Sequence, residues 1–213
     1  MVYYHTSTAT DPPSKLYVGK DKFENEELIK YAWDTDVWFH VDKLSSAHVY
    51  LRMTDDQAWD ALPRELLDDL AQLTKANSIE GNKKDNVAII YTPASNLKKD
   101  GSMDVGQVSF HDNKKVKRIF VPQRENAIVN RLNKTRVEAK PDLKQEKDDR
   151  DKILRRAALA EQQERKKEEA RKAQEYKEKK WQKDHAYDDL FTEEGLAMSS
   201  NQDRNSDWED DFM

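Results

Sequence analysis

The chain has 213 residues, of which 36% are hydrophobic and 37% are charged, whereas globular chains are about 45–50% apolar and about 25% charged. Part of the chain therefore lies outside any packed core. The absence of cysteine excludes a disulfide framework, a cysteine-based zinc site and a thiol nucleophile. The start lacks the features of a signal peptide, and every apolar run falls far short of the ~20 residues of a membrane span. We expect a soluble intracellular protein without a membrane span, in the cytoplasm, with the nucleus left open.

The net charge of −5 conceals a strong segregation along the chain. Residues 1–110 carry 12 basic and 18 acidic side chains, residues 114–183 carry 24 and 13, and residues 184–213 carry 1 and 10. Because a polyanion responds to local rather than net charge, the middle block is compatible with a nucleic-acid partner despite the acidic total.

Hydrophobic patterning predicts an α+β domain over residues 1–122, with a mixed, mainly antiparallel sheet and two packed helices. The helices are expected at Lys22–Trp33 and Arg64–Ala76, where apolar residues recur at helical spacing. Short runs rich in aromatic and β-branched residues predict the strands, at Val2–His5, Leu16–Val18, Val37–Val41, Val49–Met53, Val87–Thr92, Gly106–Phe110 and Val116–Val121.

Residues 123–183 are predicted to form a long basic helical extension with a break near Pro141. Glu, Lys, Arg, Gln and Ala dominate it, and these residues favour helix. No heptad of apolar residues persists, so a self-paired coiled coil is not supported. The part at 142–183 is either a solvated helix held by Glu–Lys pairs or a helix that binds a protein partner. Residues 184–213 are predicted to form an acidic disordered tail.

The segment Gly19–Leu51 carries a specific set of motifs, among them Asp36 with Trp38-Phe39-His40, and His48-Val49. Further pieces follow in the expected order, at Ala71–Ser78, Tyr91-Thr92, Leu97-Lys98-Lys99, Gly106 and Val108. Together they resemble the NFACT-R domain, the RNA-binding domain found in ribosome-quality-control factors. The resemblance implies binding of structured RNA, on the ribosome or in ribosomal or transfer RNA.

The resemblance has two limits. Many family members have Pro-Gly where this chain has Ser45-Ser46-Ala47, and a glycine reaches backbone conformations that serine adopts only at a cost. The large N-terminal region of the quality-control factors has no counterpart here, so only the RNA-binding module is implied, without transfer-RNA recruitment or peptide tailing.

Gly19-Lys20-Asp21-Lys22 lies directly before a predicted helix. Free backbone N–H groups and a partial positive charge at a helix start suit a phosphate. Lys20 and Lys22 would add charge, and Asn25 a hydrogen-bond donor. The alternative is an ordinary helix start that Asp21 caps, with the lysines in solvent.

Trp38 and His40 share one face of a predicted strand, and Phe39 points to the opposite face, where we expect core. Trp38 could stack on an unpaired base, although tryptophan more often packs in a core. His40 and His48 could lie on neighbouring strands as a hydrogen-bonding pair at the edge of an RNA site. A metal site would need a third ligand, and none has convincing spacing, so we expect no metal or other cofactor.

Further basic residues extend the predicted site. Lys83-Lys84 and Lys98-Lys99 lie at opposite ends of one strand, so only one pair is expected beside Lys20, and the family pattern favours Lys98 and Lys99. A denser basic strip follows, and this strip is the strongest indication of a polyanion from the sequence itself; its nucleic-acid-binding members are predicted to be Lys114, Lys115, Lys117, Arg118, Arg124 and Arg131.

Ser200 and Ser206 in the tail each have an acidic residue three positions on, which is typical of acidophilic kinase sites, and phosphates would make the tail still more negative. The tail could compete with RNA for the basic helix; its removal is then expected to raise RNA affinity.

The sequence therefore predicts a non-enzymatic RNA-binding protein, because no nucleophile elbow, phosphate-binding Walker loop or zinc-protease motif is present. Two alternatives remain open: an adaptor that binds a protein through its long helix, and a DNA-binding protein, since the charge pattern does not reveal whether a 2′-hydroxyl is read.

Overall fold

The computed structural model describes residues 1–55 and 57–185. Within them lie four α-helices, α1 (Lys22–Tyr31), α2 (Arg64–Ala76), α3 (Asn126–Lys134) and α4 (Leu143–Asp184). The same residues form nine strands, which are β1 (Val2–Ser7), β2 (Ser14–Gly19), β3 (Asp36–Val41), β4 (Val49–Arg52), β5 (Val87–Pro93), β6 (Leu97–Lys98), β7 (Ser109–Phe110), β8 (Lys117–Val121) and β9 (Val137–Ala139).

Seven of the strands that the structure describes form one sheet in the order β8-β5-β3-β4-β2-β1-β9, and every pairing in it is antiparallel. Strands β6 and β7 form a separate two-stranded hairpin. The predicted α+β class with a mainly antiparallel sheet is confirmed. The predicted strand at Gly106–Phe110 is shorter, because only Ser109 and Phe110 pair.

One face of the sheet is covered by α2 and α3. Leucines of α2, among them Leu66 and Leu70, are fully buried there, as is Leu132 of α3. Phe39 is buried on this face and stacks on Tyr91 with ring centroids 5.2 Å apart, which confirms the expectation that Phe39 belongs to the core. Burial of these side chains supplies the main stabilisation of the domain.

The other face carries a row of aromatic side chains covered by α1 and the β6–β7 hairpin. Tyr17 and Tyr50 stack there with centroids 4.8 Å apart, beside the buried Trp38. Leu28 of α1 and Ala32, which directly follows the helix, cover them. Alternation along each strand thus supplies two cores, one on each side of the sheet.

The compact unit extends beyond the predicted boundary at residue 122. It comprises Met1–Asp151, and a second unit begins at Lys152. Val129 and Leu132 of α3 are buried in the domain, and β9 pairs with β1 at the edge of the sheet. The apolar positions of the segment after Pro122 are few, but they suffice to bury one helix face, so the segment is part of the domain.

Helix α4 confirms the predicted long helix and its start just after Pro141. It buries no residue along its 42 positions. Pairs such as Arg165–Glu169 at 3.7 Å and Lys172–Glu168 at 2.7 Å join successive turns, as the solvated-helix interpretation requires. No helix among the described residues is long and apolar enough to cross a membrane. The predicted acidic tail lies, beyond its first two residues, outside the described part of the chain.

A buried ionic cluster closes the end of the sheet where β3 begins. The Asp36 carboxylate is fully buried and accepts hydrogen bonds from the Tyr17 hydroxyl at 2.6 Å and the Trp33 backbone N–H at 2.7 Å. Arg52 Nε donates to it at 3.1 Å, and the guanidinium lies 3.7 Å from the Trp33 ring centroid. Burial and the neighbouring carboxylate raise the pKa of Tyr17 well above its usual value, so this hydroxyl stays a donor.

Candidate nucleic-acid interface

Three loops converge at the opposite end of the sheet. Strand β2 ends at Gly19, β3 ends at Val41 and β5 begins at Val87. Because neighbouring strands are antiparallel, the loop before α1, the β3–β4 loop and the loop after α2 all lie at this end. We call the space between them the α1 groove. Its volume is about 380 Å³, and it is lined by Tyr3, Val18, Gly19, Lys20, Asp21, Lys22, Asn25, Ser45, Ser46, Ala47, Asn77 and Ile79.

The start of α1 is capped by its own chain. Asp21 Oδ1 accepts hydrogen bonds from the backbone N–H groups of Phe23 and Glu24, both at 3.0 Å. These are two of the amides that a phosphate at the helix start would use. The predicted helix-end phosphate site is therefore corrected: Asp21 is an ordinary cap that occupies these amides, and of the predicted site only the side chains of Lys20 and Lys22 remain as candidates.

Lys20 and Lys22 project into solvent at the edge of the α1 groove. Among the described residues, neither ammonium forms an ion pair or a hydrogen bond. The Lys22 ammonium lies 5.3 Å from the centroid of the exposed Phe23 ring, which leaves its N–H groups free. Both side chains are available for a phosphate.

Gly19 and Asn25 form the floor of the groove. A Cβ at Gly19 would lie 2.2 Å from Asn25 Oδ1, so only glycine permits this approach of strand and helix. Asn25 is 7% exposed, and its Oδ1 is buried without a hydrogen-bond partner. Asn25 is thus packed into the floor of the groove and is not available as the hydrogen-bond donor to a phosphate that the sequence predicted.

The β3–β4 loop forms the second wall. Lys43 in this loop has φ +61°, the left-handed region that non-glycine residues adopt at a cost. The loop is tied to the segment after α2, because the Ser78 hydroxyl donates to Ser45 O at 2.6 Å and Ala47 N donates to Asn77 O at 3.1 Å. These bonds fix the distance between two walls of the groove.

A buried lysine supports the wall after α2. Lys75 is 1% exposed, and its ammonium donates to the carbonyl oxygens of Gly81, at 2.8 Å, and Lys84. Burial lowers the pKa of Lys75, whereas Asp85 acts in the opposite direction. This side chain holds the turn that follows Ile79, so it is a structural cation.

Trp38, His40 and His48 form one packed cluster. Trp38 is 1% exposed and its ring stacks on His40 with centroids 5.3 Å apart. This corrects its predicted availability to a base. His48 is buried too, with its ring at 84° to that of His40 and no hydrogen bond between them, so the predicted hydrogen-bonding pair is not formed. Burial, followed by the effect of His40, lowers the pKa of His48 to about 3. Only His40 is partly exposed.

Lys98 and Lys99 differ in their surroundings. Lys99 Nζ is 2.7 Å from Glu26 Oε1 on α1 and donates to the carbonyl oxygens of Asp104, at 2.6 Å, and Gln107, at 3.0 Å. It therefore closes the β6–β7 loop onto α1, which corrects its predicted role as a free cation. Lys98 is exposed, and the part of the chain that the structure describes offers its ammonium no partner.

The predicted basic strip is divided by the fold. Lys114 and Lys115 are exposed at the end of the sheet where β3 begins, far from the α1 groove. Lys117 donates to Asp60 O at 2.9 Å, and Arg131 forms a 2.5 Å ion pair with the buried Asp69. Lys117 and Arg131 are thereby corrected from nucleic-acid contacts to structural cations.

Two arginines of the strip lie nearer the groove. Arg118 Nε is 3.4 Å from Asp42 Oδ2 in the β3–β4 loop, and Arg124 Nη1 donates to Asn82 Oδ1 at 2.7 Å. Both stay largely exposed. Cations from separate stretches of the sequence thus lie at this end of the sheet: Lys20 and Lys22, Lys43, and the two arginines Arg118 and Arg124.

Several groove residues escaped prediction. Ser45, Ser46, Asn77 and Ile79 carry no charge and belong to loops whose proximity depends on the sheet order. Ile79 is an apolar residue between the polar Ser78 and Glu80, and this placement is the only signal that the sequence offered; the structure shows the side chain to be highly exposed. No group of three metal-ligating side chains occurs among residues 1–55 and 57–185.

Comparison with known proteins shows a family and several relatives that the chain resembles. The family described as "NFACT protein RNA binding domain" matches residues 1–112. The chain is 49% identical to coiled-coil domain-containing protein 25 of Bos taurus over 217 residues, covering 100% of both chains. It is 57% identical to the Danio rerio protein of that name over 151 residues, covering 71% of this chain and 73% of the relative. It is 43% identical to protein JLP2 of Saccharomyces cerevisiae over 143 residues, covering 65% and 69%.

The fold also has a solved counterpart. The C-terminal part of the fibronectin/fibrinogen-binding protein from Streptococcus suis superposes with a TM-score of 0.50 at 23% sequence identity. The match covers 63% of this chain and 49% of that one. At this identity the likeness concerns the fold alone. The family match over residues 1–112 and the end-to-end identity with the bovine relative establish that the chain belongs to the NFACT RNA-binding-domain family.

Proposed function

We propose that this protein binds structured RNA without catalysis, with the α1 groove as the site that receives the RNA backbone. The observation that carries the proposal is the pair Lys20 and Lys22 at the edge of a groove, both exposed and without an internal partner among the described residues. The membership of an RNA-binding-domain family supports RNA over other polyanions.

The groove combines charge with polar and apolar walls. Lysine ammoniums attract phosphates and release counterions, which supplies most nonspecific affinity for nucleic acid. The hydroxyl of Ser45 can add a hydrogen bond to a phosphate or a ribose, and Ile79 offers an apolar lip to a sugar or base. The arrangement therefore suits one stretch of backbone with a nucleotide resting against the lip.

The RNA is proposed to be ribosomal or ribosome-bound, because the motifs resemble a domain of ribosome-quality-control factors. A cytoplasmic location, with a nuclear fraction during ribosome assembly, accords with such a partner. Sedimentation of the protein with ribosomal subunits before and after RNase treatment would test this, and free sedimentation in both conditions would contradict it.

The site is tested by titrating a fluorescent RNA hairpin with the full chain. Changing both groove lysines, K20Q/K22Q, is expected to weaken binding about tenfold, because two phosphate contacts are lost. The matched control K114Q/K115Q removes the same charge at the other end of the sheet and is expected to change affinity by less than about threefold. Absent binding by the wild type, or equal losses in the two variants, would overturn the proposal.

A second candidate function is supported by α4. Beyond Asp151 its large apolar side chains are all exposed, by 42–71%, and are Ile153, Leu154, Leu159, Tyr176 and Trp181. A helix with such side chains could bind a protein partner through them. Crosslinking in RNase-treated extract with the wild type and with W181A/Y176A would test it; a partner captured equally by both would contradict it.

A further inference from the structure

The edge strand β8 presents an unusual pair of side chains to solvent. Its residues alternate, with Ile119 and Val121 directed to the core face and Arg118 and Phe120 directed outward. Phe120 is 68% exposed. No ring contact or cation–π contact involves Phe120 within the described residues, so no aromatic ring or cation there competes with a ligand for it.

The sheet provides a firm base under this pair. Phe120 is the register partner of Ala88 on β5, and Arg118 is the partner of Ile90. Ile90 pairs in turn with His40 on β3, so Arg118, Ile90 and His40 form a row across the face that carries the aromatic side chains. The backbone of Phe120 is therefore held in the sheet, whereas its side chain is free. A rigid ring that loses little entropy on contact is well suited to binding.

The charge around Phe120 favours an anionic partner with a flat, apolar part. Arg118 is 57% exposed although its Nε lies 3.4 Å from Asp42 Oδ2, so part of its guanidinium is available to a phosphate. Lys43 follows Asp42 in the chain and is exposed. A nucleotide has a planar base and an adjacent phosphate, and matches a phenylalanine ring beside an arginine.

The pair also lies within reach of the α1 groove. Phe120 sits at the β5 end where Asp42 N donates to Ala88 O, and Asp42 belongs to the loop that carries Ser45 and Ser46. Four strand spacings of about 4.8 Å separate β8 from β2, so the two places are roughly 19 Å apart. A few nucleotides span that distance.

We propose that Phe120 is a stacking platform for one unpaired base of the RNA whose backbone lies in the α1 groove, with Arg118 on the adjoining phosphate. The inference rests on the proposed function and extends it, because it requires the RNA to carry an unpaired nucleotide next to its structured part. Stacking on an aromatic side chain contributes about 1–3 kcal/mol per base, which corresponds to about 5- to 150-fold in affinity.

Two other phenylalanines provide contrasts. Phe23 is 65% exposed but has the Lys22 ammonium 5.3 Å from its ring centroid. Phe110 packs against Trp38 with centroids 5.9 Å apart. Phe23 is hence a matched control, because it has the same residue type and exposure and lies nearer to the groove lysines than Phe120 does.

The test uses the full chain and an RNA hairpin with a short single-stranded extension that contains 2-aminopurine, whose fluorescence falls when it stacks. We expect quenching at one position of the extension with the wild type. F120L should abolish that quenching and weaken binding about tenfold, F120W should retain both, and F23L should change affinity by less than about twofold. Circular dichroism of the exposed-site variants should match the wild type.

The outcomes separate the two proposals. Wild-type binding that depends on Lys20 and Lys22, together with unchanged affinity and quenching in F120L, would overturn the platform and leave the proposed function standing. The platform would also be overturned if F120L weakened a blunt hairpin and an extended hairpin equally, because a paired base cannot stack on it. No binding by the wild type would overturn both proposals.

Discussion

The two ends of the sheet use the same kinds of residue for opposite purposes. Where β3 begins, Asp36, Arg52, Tyr17 and the Trp33 backbone satisfy one another in a closed cluster. At the other end, the loops around the α1 groove hold Lys20, Lys22 and Lys43 without internal partners in the described part of the chain. Arg52 at the first end thus stabilises the fold, whereas Lys20, Lys22 and Lys43 at the second are available to a ligand.

The difference teaches that a basic side chain acquires its role from the partner that the fold supplies. Lys99 lies close to the groove, yet Glu26 and two carbonyl oxygens occupy its ammonium. Lys75 is buried beneath the groove wall and is also fully engaged. Proximity to the site is therefore insufficient, and the free cations are those whose loops offer no acceptor.

The largest loss of stability is expected when the Asp36 carboxylate is removed from the cluster at the end of the sheet where β3 begins. Changing Asp36 to Asn removes the nearer of two carboxylates beside the largely buried Arg52 and leaves only that of Glu146, 3.6 Å from Arg52 Nη1. We expect the free energy of unfolding to fall by about 3–5 kcal/mol. RNA affinity of the folded protein should stay within about twofold of wild type. Urea denaturation and RNA titration of the same preparation measure both quantities.

The matched control for that variant is D34N, because Asp34 is exposed and its carboxylate has no partner among the described residues. It should change stability by less than about 0.5 kcal/mol. A D36N protein as stable as D34N would show that the cluster around Asp36 does not stabilise the fold.

The lowered pKa of His48 predicts that the folded protein loses stability as the pH falls. Its pKa is about 3 in the folded protein and about 6.5 when unfolded. Below pH 6.5 the unfolded chain binds a proton that the folded chain does not, so the free energy of unfolding falls by up to about 1.4 kcal/mol per pH unit. Between pH 7 and pH 5 the loss from His48 alone is about 2 kcal/mol.

Denaturation at several pH values would measure this contribution. H48F keeps a ring against Trp38 and should remove about 2 kcal/mol of the difference between pH 7 and pH 5. The part that remains includes His5 and His40, whose pKa values burial also lowers. H111F changes an exposed histidine and should keep the wild-type pH dependence; an H48F protein with that same dependence would refute the assignment.

A Lys75 variant tests whether its buried ammonium stabilises the groove wall that follows α2. K75M removes the donor to the carbonyl oxygens of Gly81 and Lys84, and we expect the free energy of unfolding to fall by about 1–3 kcal/mol. Hydrogen exchange should become faster in the turn after Ile79. The exposed Lys83 provides the control K83M, and equal exchange in the two variants would argue against a supporting role.

Much of the fold was predictable because it depends on local patterns. The leucines of α2 recur at helical spacing, and the strand at Val87–Pro93 is a continuous apolar run. The cap at Asp21 was recognised as an alternative because an aspartate directly before a helix is a common cap. The extent of the domain was not predictable, since it depends on α3 packing against a distant helix.

The site was predictable only in part. Lys20 and Lys22 were found from their position before a helix, but the engagement of Arg131 by Asp69 depends on contacts between residues 62 positions apart. Phe120 was not recognised, because the alternation of its strand shows two faces without showing which of them a helix covers. Which side chains pair, and which face of a strand a helix covers, depend on contacts between distant segments, so a local sequence pattern does not reveal them.

The salt dependence of RNA binding tests the central claim most directly. The association constant of one RNA hairpin would be measured at several salt concentrations with the wild type, K20Q/K22Q and K117Q. The logarithmic slope should fall by about 2 in K20Q/K22Q, because two free cations leave the phosphates. It should be unchanged in K117Q, whose lysine is engaged by Asp60 O. A slope unaltered in K20Q/K22Q, or reduced comparably by K117Q, would contradict the distinction between free and engaged cations.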